Sequence, residues 1–378
     1  MNYAKILDEI FKQFDGPKFG VRLWDNETKY YGEGSSADFT IYISKPNVVK
    51  KLLTEGALGF GESYMDDTLD IEGDLEAYLK LRHQFRHVKP SPRLMLAKLW
   101  AELTKPKKRD EQISYHYDLG NDFFSLFLDK ETMSYSAAHF ESEKDTLGKA
   151  QENKLQLICD WMNLPKDSRV LDLGSGWGRF AIHAAKNHGW HINGNTLSQK
   201  QLDYCRELVS TNNLNDQIKI SYEDFTAIKG SEKYDGAVMI EAIEHVGKDK
   251  LGTFLKDISQ RLGKGASFYL QFTGRYKPKP VDPWTLKYVF PGGHLPAKKE
   301  FLDAVEESGL VVEKFEDHTD DYKRTISAWV NSIESHQSDI EEMFDKKSFR
   351  LWKLWTHGVR VNFEIGDMSL FRVLLRKP

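Results

Sequence analysis

The chain has 378 residues, of which 40% are hydrophobic and 29% are charged, a composition typical of a globular protein long enough for two domains. Its net charge of -4 excludes a general polyanion binder, so we expect no nucleic-acid partner. The two cysteines, Cys159 and Cys205, belong to no metal-spaced cluster, so we expect neither a disulfide nor a metal site.

The sequence has no uninterrupted apolar run of membrane-spanning length. Residues 1–14 carry acidic side chains and are typical of an amphipathic helix rather than a signal peptide. We therefore expect a cytoplasmic protein that contacts lipid only peripherally, at the inner face of the membrane.

The first hundred residues predict a small α+β module. Alternating apolar residues at 19–24 and 38–43 predict strands, and helical patterns run over 47–55 and 75–85. Residues 91–104 place several apolar side chains beside a basic cluster at 105–109, which predicts either a helix seated on an anionic membrane or a core helix with a solvated linker. We place an N-terminal lipid-binding domain at 1–104, a linker at 105–113 and a catalytic domain at 114–378.

The stretch from Val170 to Phe180 is an apolar run, an acidic residue, a glycine turn and the start of a helical pattern. Glycines occur at every second position, at Gly174, Gly176 and Gly178, which differs from the dinucleotide fingerprint. This pattern resembles motif I of the S-adenosylmethionine (SAM) dependent methyltransferases. The alternative interpretation is a strand-to-helix turn that binds nothing.

Four further strands are predicted at 190–196, 218–222, 234–240 and 267–272, with helices between them. This alternation indicates a parallel sheet covered on both faces, and 310–317 and 368–375 could add an antiparallel pair. Upstream, 115–128 and 133–140 are rich in aromatic residues, which could roof an apolar substrate or simply fill a core.

Together these stretches resemble the cyclopropane-fatty-acyl-phospholipid synthase family, with the mycolic acid cyclopropane synthases as relatives. The resemblance rests on four motifs in order, at 117–124, 170–178, 244–247 and 290–293, and is looser over the first hundred residues. It implies an α/β fold of the class I SAM-dependent methyltransferase type, Rossmann-like, with a mostly parallel seven-stranded sheet and a smaller α+β N-terminal domain.

The resemblance also implies the cofactor contacts. Positions in the glycine loop and at 135–136 match family residues that contact the methionine end of SAM. Positions 196–201 match residues that lie along the nucleoside, and positions 222–223 match the pair that flanks the adenine. The residues assigned to SAM are Tyr135, Ser136, Asp172, Gly174, Ser175, Gly176, Thr196, Leu197, Gln201, Tyr222, Glu223 and Ile240.

The implied reaction adds a methylene bridge across a cis double bond. Methyl transfer leaves a carbocation that aromatic faces can stabilise, and a bound bicarbonate, held in the family by a carboxylate, a tyrosine hydroxyl, a histidine and backbone amides, then removes a proton. The carboxylate matches Glu244 and the tyrosine matches Tyr322, and we include Gln271, Ala137, Thr273 and His245 among the catalytic residues.

Two positions depart from the family pattern. Ala137 replaces a cysteine common in relatives, but it keeps the backbone N–H. Gln271 replaces a histidine, and its amide can donate a hydrogen bond but cannot take up a proton near neutral pH. His245 and His294 are candidates to compensate for the lost histidine.

Three functions are therefore weighed. The first is cyclopropane formation on an unsaturated phospholipid at the membrane surface, by a homodimer whose N-terminal domain docks on the bilayer. The second is a methyl- or methylene-branched product, because the changed residues Ala137 and Gln271 place the base elsewhere. The third is a lipid-surface binding protein with a degenerate active centre.

Overall fold

The computed structural model describes residues 2–14, 16–82, 95, 120–228 and 231–378. The predicted segment at 91–104 (apart from Met95), the linker at 105–113 and the aromatic residues at 115–119 lie outside the described residues. No helix in the described ranges is long and apolar enough to cross a membrane.

The elements are numbered along the chain. They begin with α1 (Tyr3–Phe11), β1 (Phe19–Arg22), β2 (Thr28–Tyr31), β3 (Phe39–Ile43), α2 (Pro46–Glu55), α3 (Ala57–Met65), β4 (Leu69–Gly73), α4 (Leu75–Arg82), α5 (Gly120–Ser125), α6 (Leu147–Met162), β5 (Arg169–Leu173), α7 (Arg179–His188) and β6 (His191–Thr196). They continue with α8 (Gln199–Thr211), β7 (Ile218–Tyr222), β8 (Tyr234–Ile240), α9 (Leu251–Arg261), β9 (Leu262–Gly274), α10 (Pro283–Tyr288), α11 (Lys298–Ser308), β10 (Val311–Asp317), α12 (Thr319–Ser335), α13 (Gln337–Met343), α14 (Lys346–Glu364) and β11 (Ser369–Arg376).

The chain divides into two compact units. Described residues up to 82 form the first unit with Asp282–Pro291 and Ile333–Ile365, while the second contains the described residues from 120 to 281, Gly292–Ser332 and Gly366–Pro378. The sequence-based division at 104 and 114 assigned both of the inserted segments to the catalytic domain, so it differs from the compact units. Sequence order alone gives no sign that the chain returns to its first unit.

The first unit has a four-stranded sheet in the order β2-β1-β3-β4, in which β1 and β3 are parallel. The later segments pack into this unit through buried polar contacts. The buried carboxylate of Glu62 pairs with Lys51 and Lys287, and the buried guanidinium of Arg350 donates to the carbonyl of Tyr64 and to Asp70. These contacts satisfy charges that would be costly to bury alone.

The second unit is built on a seven-stranded sheet in the order β10-β11-β9-β8-β5-β6-β7. Strands β5 to β9 run parallel, and β11 is antiparallel to both β9 and β10. This confirms the predicted fold, including the final antiparallel pair.

Both faces of this sheet are covered, as the continuous apolar strands predict. Val170 and Val238 face one buried cluster, whereas their neighbours Leu171 and Met239 face the other. The alternation follows from the period of two along a strand. Buried strands leave only their ends accessible, so a ligand site belongs at an edge of the sheet.

Candidate active site

The glycine loop lies at the carboxyl end of β5. Gly174, Gly176 and Gly178 have φ values of 77°, 54° and 75°, in the left-handed region that favours glycine. The loop is fixed by Asn195 at the end of β6, whose Oδ1 accepts from the N–H of Gly174 at 3.0 Å and whose carbonyl accepts from the N–H of Ser175 at 2.8 Å. Helix α7 then begins at Arg179, as the strand-turn-helix pattern predicts.

Asp172 lies buried directly before this loop. Its Oδ2 has no hydrogen-bond partner among the described residues, and burial raises its pKa to about 7. A buried carboxylate oxygen without a donor is uncommon in native proteins and is often completed by a ligand. The site therefore fits a ligand that offers hydrogen-bond donors beside the glycine loop, as the methionine end of SAM does.

The other residues assigned to the cofactor sit at the same edge of the sheet. Thr196 ends β6 and is paired with Tyr222, which ends β7, and the N–H of Glu223 donates to the carbonyl of Thr196 at 3.2 Å. Leu197 and Tyr222 are 56% and 57% exposed, so they leave large apolar surfaces on which a planar ligand could pack. Gln201 lies in the first turn of α8, which begins at Gln199 with Ser198 as its cap, and its Oε1 accepts from Thr196 Oγ1 at 2.8 Å. Ile240 ends β8.

An aromatic cluster lies beside Tyr135. The rings of Tyr135 and Trp329 are stacked with centroids 5.3 Å apart, and Phe124 and Tyr322 contact this pair edge-on. The neighbouring Ser136 is buried and accepts a hydrogen bond from Lys154. The aromatic region upstream of the sheet therefore places ring faces near groups assigned to the cofactor.

Two glutamates follow β8, three residues apart. Glu244 lies in a short 3-10 turn (Ile243–His245), and its Oε1 accepts from the N–H of Thr273 at 2.7 Å. Its Oε2 is buried without a hydrogen-bond partner in the described part of the chain. Burial, together with the charge of Glu241, raises the pKa of Glu244 to about 8, so this carboxyl is mainly protonated at neutral pH.

Glu241 was not among the residues predicted from the sequence. Its Oε1 accepts from the backbone N–H of Ala137 at 2.7 Å and from Nε2 of Gln271 at 2.8 Å, and its carboxylate is hydrogen-bonded to the buried Tyr322. The signal that could have identified it is its position, since it is the first residue after the carboxyl end of β8. The structure thus brings Ala137, Gln271 and Tyr322 together around Glu241.

A fully buried arginine fixes the orientation of Gln271. Nε of Arg372 donates to Oε1 of Gln271 at 2.9 Å, which leaves the Gln271 amide to donate to Glu241 and to the carbonyl of Ala137. The same guanidinium pairs with Asp321 at 2.9 Å. The amide nitrogen of Gln271 donates to Ala137 and Glu241, and its amide oxygen accepts from Arg372. Only one orientation of the amide satisfies all three hydrogen bonds.

His245 lies in the same turn as Glu244, and burial lowers its pKa from the ordinary value. The ring is therefore neutral near pH 7. The donors to Glu241 and Glu244 described above do not include the His245 side chain. Its compensating role therefore stays a prediction.

The glycine loop and the glutamate turn are in close contact. A Cβ placed on Gly174 would lie 3.0 Å from Cβ of Ala242, the residue between Glu241 and Ile243. The glycine loop and the turn that carries the two glutamates therefore pack against each other, with no room between them for an added methyl group at Gly174.

Two groups of side chains in the described ranges have metal-ligand spacing. In the group formed by His139, His318 and Asp321, Nη1 of Arg372 lies 2.9–3.0 Å from an atom of each member. The arginine thus supplies the positive charge that a cation would bring. The second group comprises Cys159, His183 and His188, where burial raises the pKa of the thiol and lowers that of His183 to about 4.

The strand order, the glycine loop after β5 and the exposed residues at the ends of β6 and β7 are those of a SAM-dependent methyltransferase. Comparison with known proteins narrows this class. Residues 104–373 match the family described as mycolic acid cyclopropane synthetase. The chain is 31% identical over 349 residues to the cyclopropane-fatty-acyl-phospholipid synthase of Escherichia coli (strain K12), covering 90% of this chain and 89% of that protein. The chain therefore belongs to the mycolic acid cyclopropane synthetase family.

Two further likenesses are informative. A protein of Pseudomonas putida described as a probable fatty acid methyltransferase is 27% identical, over 95% of this chain and 91% of its own. The solved cyclopropane synthase MmaA2 from Mycobacterium tuberculosis has a TM-score of 0.65 and 25% identity, covering 69% of this chain and 96% of that one. Residues 6–86 match a domain of unknown function (DUF7884). The family and its relatives support SAM-dependent methylation of a lipid.

Proposed function

We propose that the protein transfers a methylene group from SAM to the cis double bond of an unsaturated acyl chain in a membrane phospholipid, forming a cyclopropane ring. The observation that supports this most directly is the juxtaposition of the glycine loop with a turn that holds two buried carboxyls, through Gly174 and Ala242. An alkene is a weak nucleophile, so the donor has to be held close to it in a dry site and a base has to be present.

The aromatic cluster supports a cationic intermediate. Tyr135, Trp329 and Tyr322 present ring faces and edges beside the assigned methionine end of the cofactor. Such a ring attracts a positive charge by about 0.5–1 kcal/mol at an exposed site and by about 2 kcal/mol or more when water is excluded. SAM itself supplies an electrophilic methyl group when bound.

The sequence-based prediction placed a bicarbonate between Glu244 and Tyr322 as the base. The groups that would hold it do not fit an additional anion, because the N–H of Ala137, the amide of Gln271 and the hydroxyl of Tyr322 are already bonded to Glu241. A second anion beside that carboxylate would be repelled in a buried site. No step through bicarbonate is therefore derived.

A methyl- or methylene-branched product is the second candidate. The observation that favours it is the replacement of the family's cysteine and histidine by Ala137 and Gln271, both of which hold Glu241. A base placed differently can remove a different proton from the same cation. The similarity to a probable fatty acid methyltransferase points the same way.

One assay separates these functions. The protein is incubated with SAM and vesicles of unsaturated or saturated phospholipid, and S-adenosylhomocysteine and lipid products are measured. We expect turnover on unsaturated vesicles only. In proton NMR, ring protons appear far upfield and an exocyclic methylene in the olefinic region, so the product identifies the candidate. Binding of SAM without any turnover would instead support the lipid-surface binding protein.

Glu244→Gln and Gln271→His are the informative variants. Glu244→Gln keeps the size of the side chain but replaces a carboxyl, which can gain or release a proton, with an amide, which cannot. Gln271→His restores the family residue. We expect Gln271→His to weaken the contact with Glu241, because one imidazole cannot match both amide functions. Lower turnover with unchanged SAM binding would agree with this.

We also propose that the first unit docks on the inner face of the membrane and that the protein works as a homodimer. The reason is that an acyl chain buried in a bilayer reaches a protein cleft only through surface contact. Cosedimentation of the whole protein with anionic and neutral vesicles tests docking, and light scattering after gel filtration tests the oligomeric state. Deleting the first hundred residues is a poor test, because it would strip Arg350 of its partners.

A further inference from the structure

We propose that the carboxylate of Glu241, rather than a bound anion, is the base that removes the proton in this enzyme. The inference rests on the proposed function, since it concerns the deprotonation step of that reaction. It departs from the bicarbonate that the family resemblance implies.

The first argument is the identity of the groups around Glu241. A backbone N–H, a glutamine amide and a tyrosine hydroxyl, from Ala137, Gln271 and Tyr322, are bonded to this one carboxylate. They include the backbone amide, the residue in the place of the family's histidine and the tyrosine that were assigned to bicarbonate. The chain thus places its own carboxylate among the groups that the resemblance assigns to the bicarbonate.

The second argument is which of the two glutamates is charged. Burial raises the pKa of Glu241 above its ordinary value, but the carboxylate accepts three hydrogen bonds and lies near the buried ammonium of Lys154, and these act against that rise. Glu244 has a single donor, Thr273, and its pKa is raised by the charge of Glu241 as well as by burial. Two interacting carboxyls whose environments differ in this way divide the roles of base and acid. The larger number of hydrogen-bond donors therefore favours Glu241 over Glu244 as the ionised member of the pair.

The third argument is preorganisation. Glu241 has a φ of 48°, a left-handed conformation that is uncommon for a residue with a side chain, and its N–H donates to the carbonyl of Gln271. The buried Arg372 orients Gln271 from the other side. A strained backbone held by neighbouring strands and a donor fixed by a buried arginine keep the carboxylate in one position.

The chemical step balances with this base. The methyl carbon leaves the sulfur of SAM, whose bonding pair stays on sulfur as S-adenosylhomocysteine, and it bonds to one alkene carbon through the π pair. The other alkene carbon becomes cationic. Glu241 accepts a proton from the added methyl, and the freed C–H pair forms the last ring bond. Glu241 then returns its proton to solvent.

The test combines bicarbonate depletion with a matched pair of variants. Wild-type protein, Glu241→Gln and Glu241→Gly are assayed on unsaturated phospholipid vesicles in carbon dioxide-free buffer, with and without added bicarbonate. Glu152→Gln, an exposed glutamate on α6, is the control for losing one carboxylate. Binding of S-adenosylhomocysteine and of carbon-13 bicarbonate, followed by NMR line broadening, provides readouts independent of turnover.

We expect wild-type turnover to be the same with and without bicarbonate, and Glu152→Gln to match it. Glu241→Gln should lose roughly 100- to 10,000-fold in product formation, the usual contribution of a general base, while still binding S-adenosylhomocysteine. Glu241→Gly, which opens the anion site, should bind bicarbonate and regain part of the turnover when it is added.

Two results would overturn the inference: wild-type turnover that falls without bicarbonate and returns with it, or Glu241→Gln that keeps wild-type turnover. If both Glu241 variants fail to fold, the bicarbonate dependence and bicarbonate binding of the wild type still decide the question. A wild-type protein that turns over on no unsaturated vesicle at any bicarbonate concentration would overturn the proposed function, and the inference with it.

Discussion

Gly174→Ala tests whether the donor loop and the glutamate turn act as one site. Gly174 has a φ of 77°, and an added Cβ would lie 3.0 Å from Cβ of Ala242, whereas carbon atoms in good contact are about 3.5–4.0 Å apart. The left-handed conformation costs an alanine roughly 1–2 kcal/mol. Forcing Ala242 aside adds roughly 1–3 kcal/mol, the usual penalty for overpacking.

Gly309→Ala is the matched control. Gly309 has a φ of 73° at the end of α11, and an added Cβ there meets nothing within 4 Å. We therefore expect Gly309→Ala to lower the free energy of unfolding by about 1–2 kcal/mol, and Gly174→Ala by about 2–5 kcal/mol. Urea denaturation of the ligand-free protein measures both values.

The functional consequence follows from the position of Ala242 beside Glu241. Displacing Ala242 moves the carboxylate, so Gly174→Ala should lower turnover even when SAM is saturating, while Gly309→Ala leaves it unchanged. The double variant Gly174→Ala with Ala242→Gly removes the contact and should recover all but the cost of the left-handed alanine. The reasoning is wrong if Gly174→Ala is no less stable than Gly309→Ala, or if the second substitution recovers nothing.

Three further outcomes are expected. Because the folded chain raises the pKa of Glu244 from 4.5 to about 8, the folded state binds more protons than the unfolded state between these two pH values, and its stability falls as pH rises through them. Glu244→Gln should weaken that fall between denaturation curves at pH 5 and pH 8, and an unchanged difference between the two curves would contradict the prediction. Tyr322→Phe removes a hydrogen bond to the buried carboxylate of Glu241, worth about 1.5–3 kcal/mol, so the turnover number should drop roughly 10- to 100-fold while the SAM dissociation constant stays the same. Equal losses in turnover and in SAM affinity would point to misfolding. In the first unit, a Cβ on Gly61 would lie 2.2 Å from Cδ1 of Trp284, so Gly61→Ala should lower the free energy of unfolding by about 1–3 kcal/mol. Gly358 lies on α14 with open space around an added Cβ, so Gly358→Ala should raise the free energy of unfolding by about 0.5–1 kcal/mol. Similar melting temperatures for the two variants would refute the packing argument.

Local patterns were sufficient for the sheet of the second unit. The buried strands are apolar runs separated by helical patterns, and the turn at 174–178 follows a strand directly, so period and glycine spacing identify them. The predicted strand at 267–272 is longer in the structure, Leu262–Gly274, because Leu262 pairs with β8 before a register shift and the last two residues, Thr273 and Gly274, pair with β11. Strand ends depend on the partner strand, which a local pattern does not contain.

The domain division shows a limit of a different kind. Segments 282–291 and 333–365 look like ordinary helices of the catalytic domain, but they belong to the first compact unit. The evidence lies in partners far away along the chain, such as Arg350 with Asp70, 280 residues earlier. A composition change at 105–109 marks a linker, yet it says nothing about where the chain returns.

The sequence by itself determined the class of fold, the SAM loop and the family, because these depend on residues that are neighbours along the chain. Only the tertiary structure decided which of two glutamates, three residues apart after the same strand, receives three hydrogen-bond donors and is thereby favoured as the ionised one. Glu241 and Glu244 follow the same strand, and what separates them is the set of donors that reaches each. Those donors come from Ala137 and Gln271, 104 and 30 residues from Glu241, and from Tyr322. Charge in a buried site is set by three-dimensional neighbours and by the exclusion of water, and neither is written in the local order of residues.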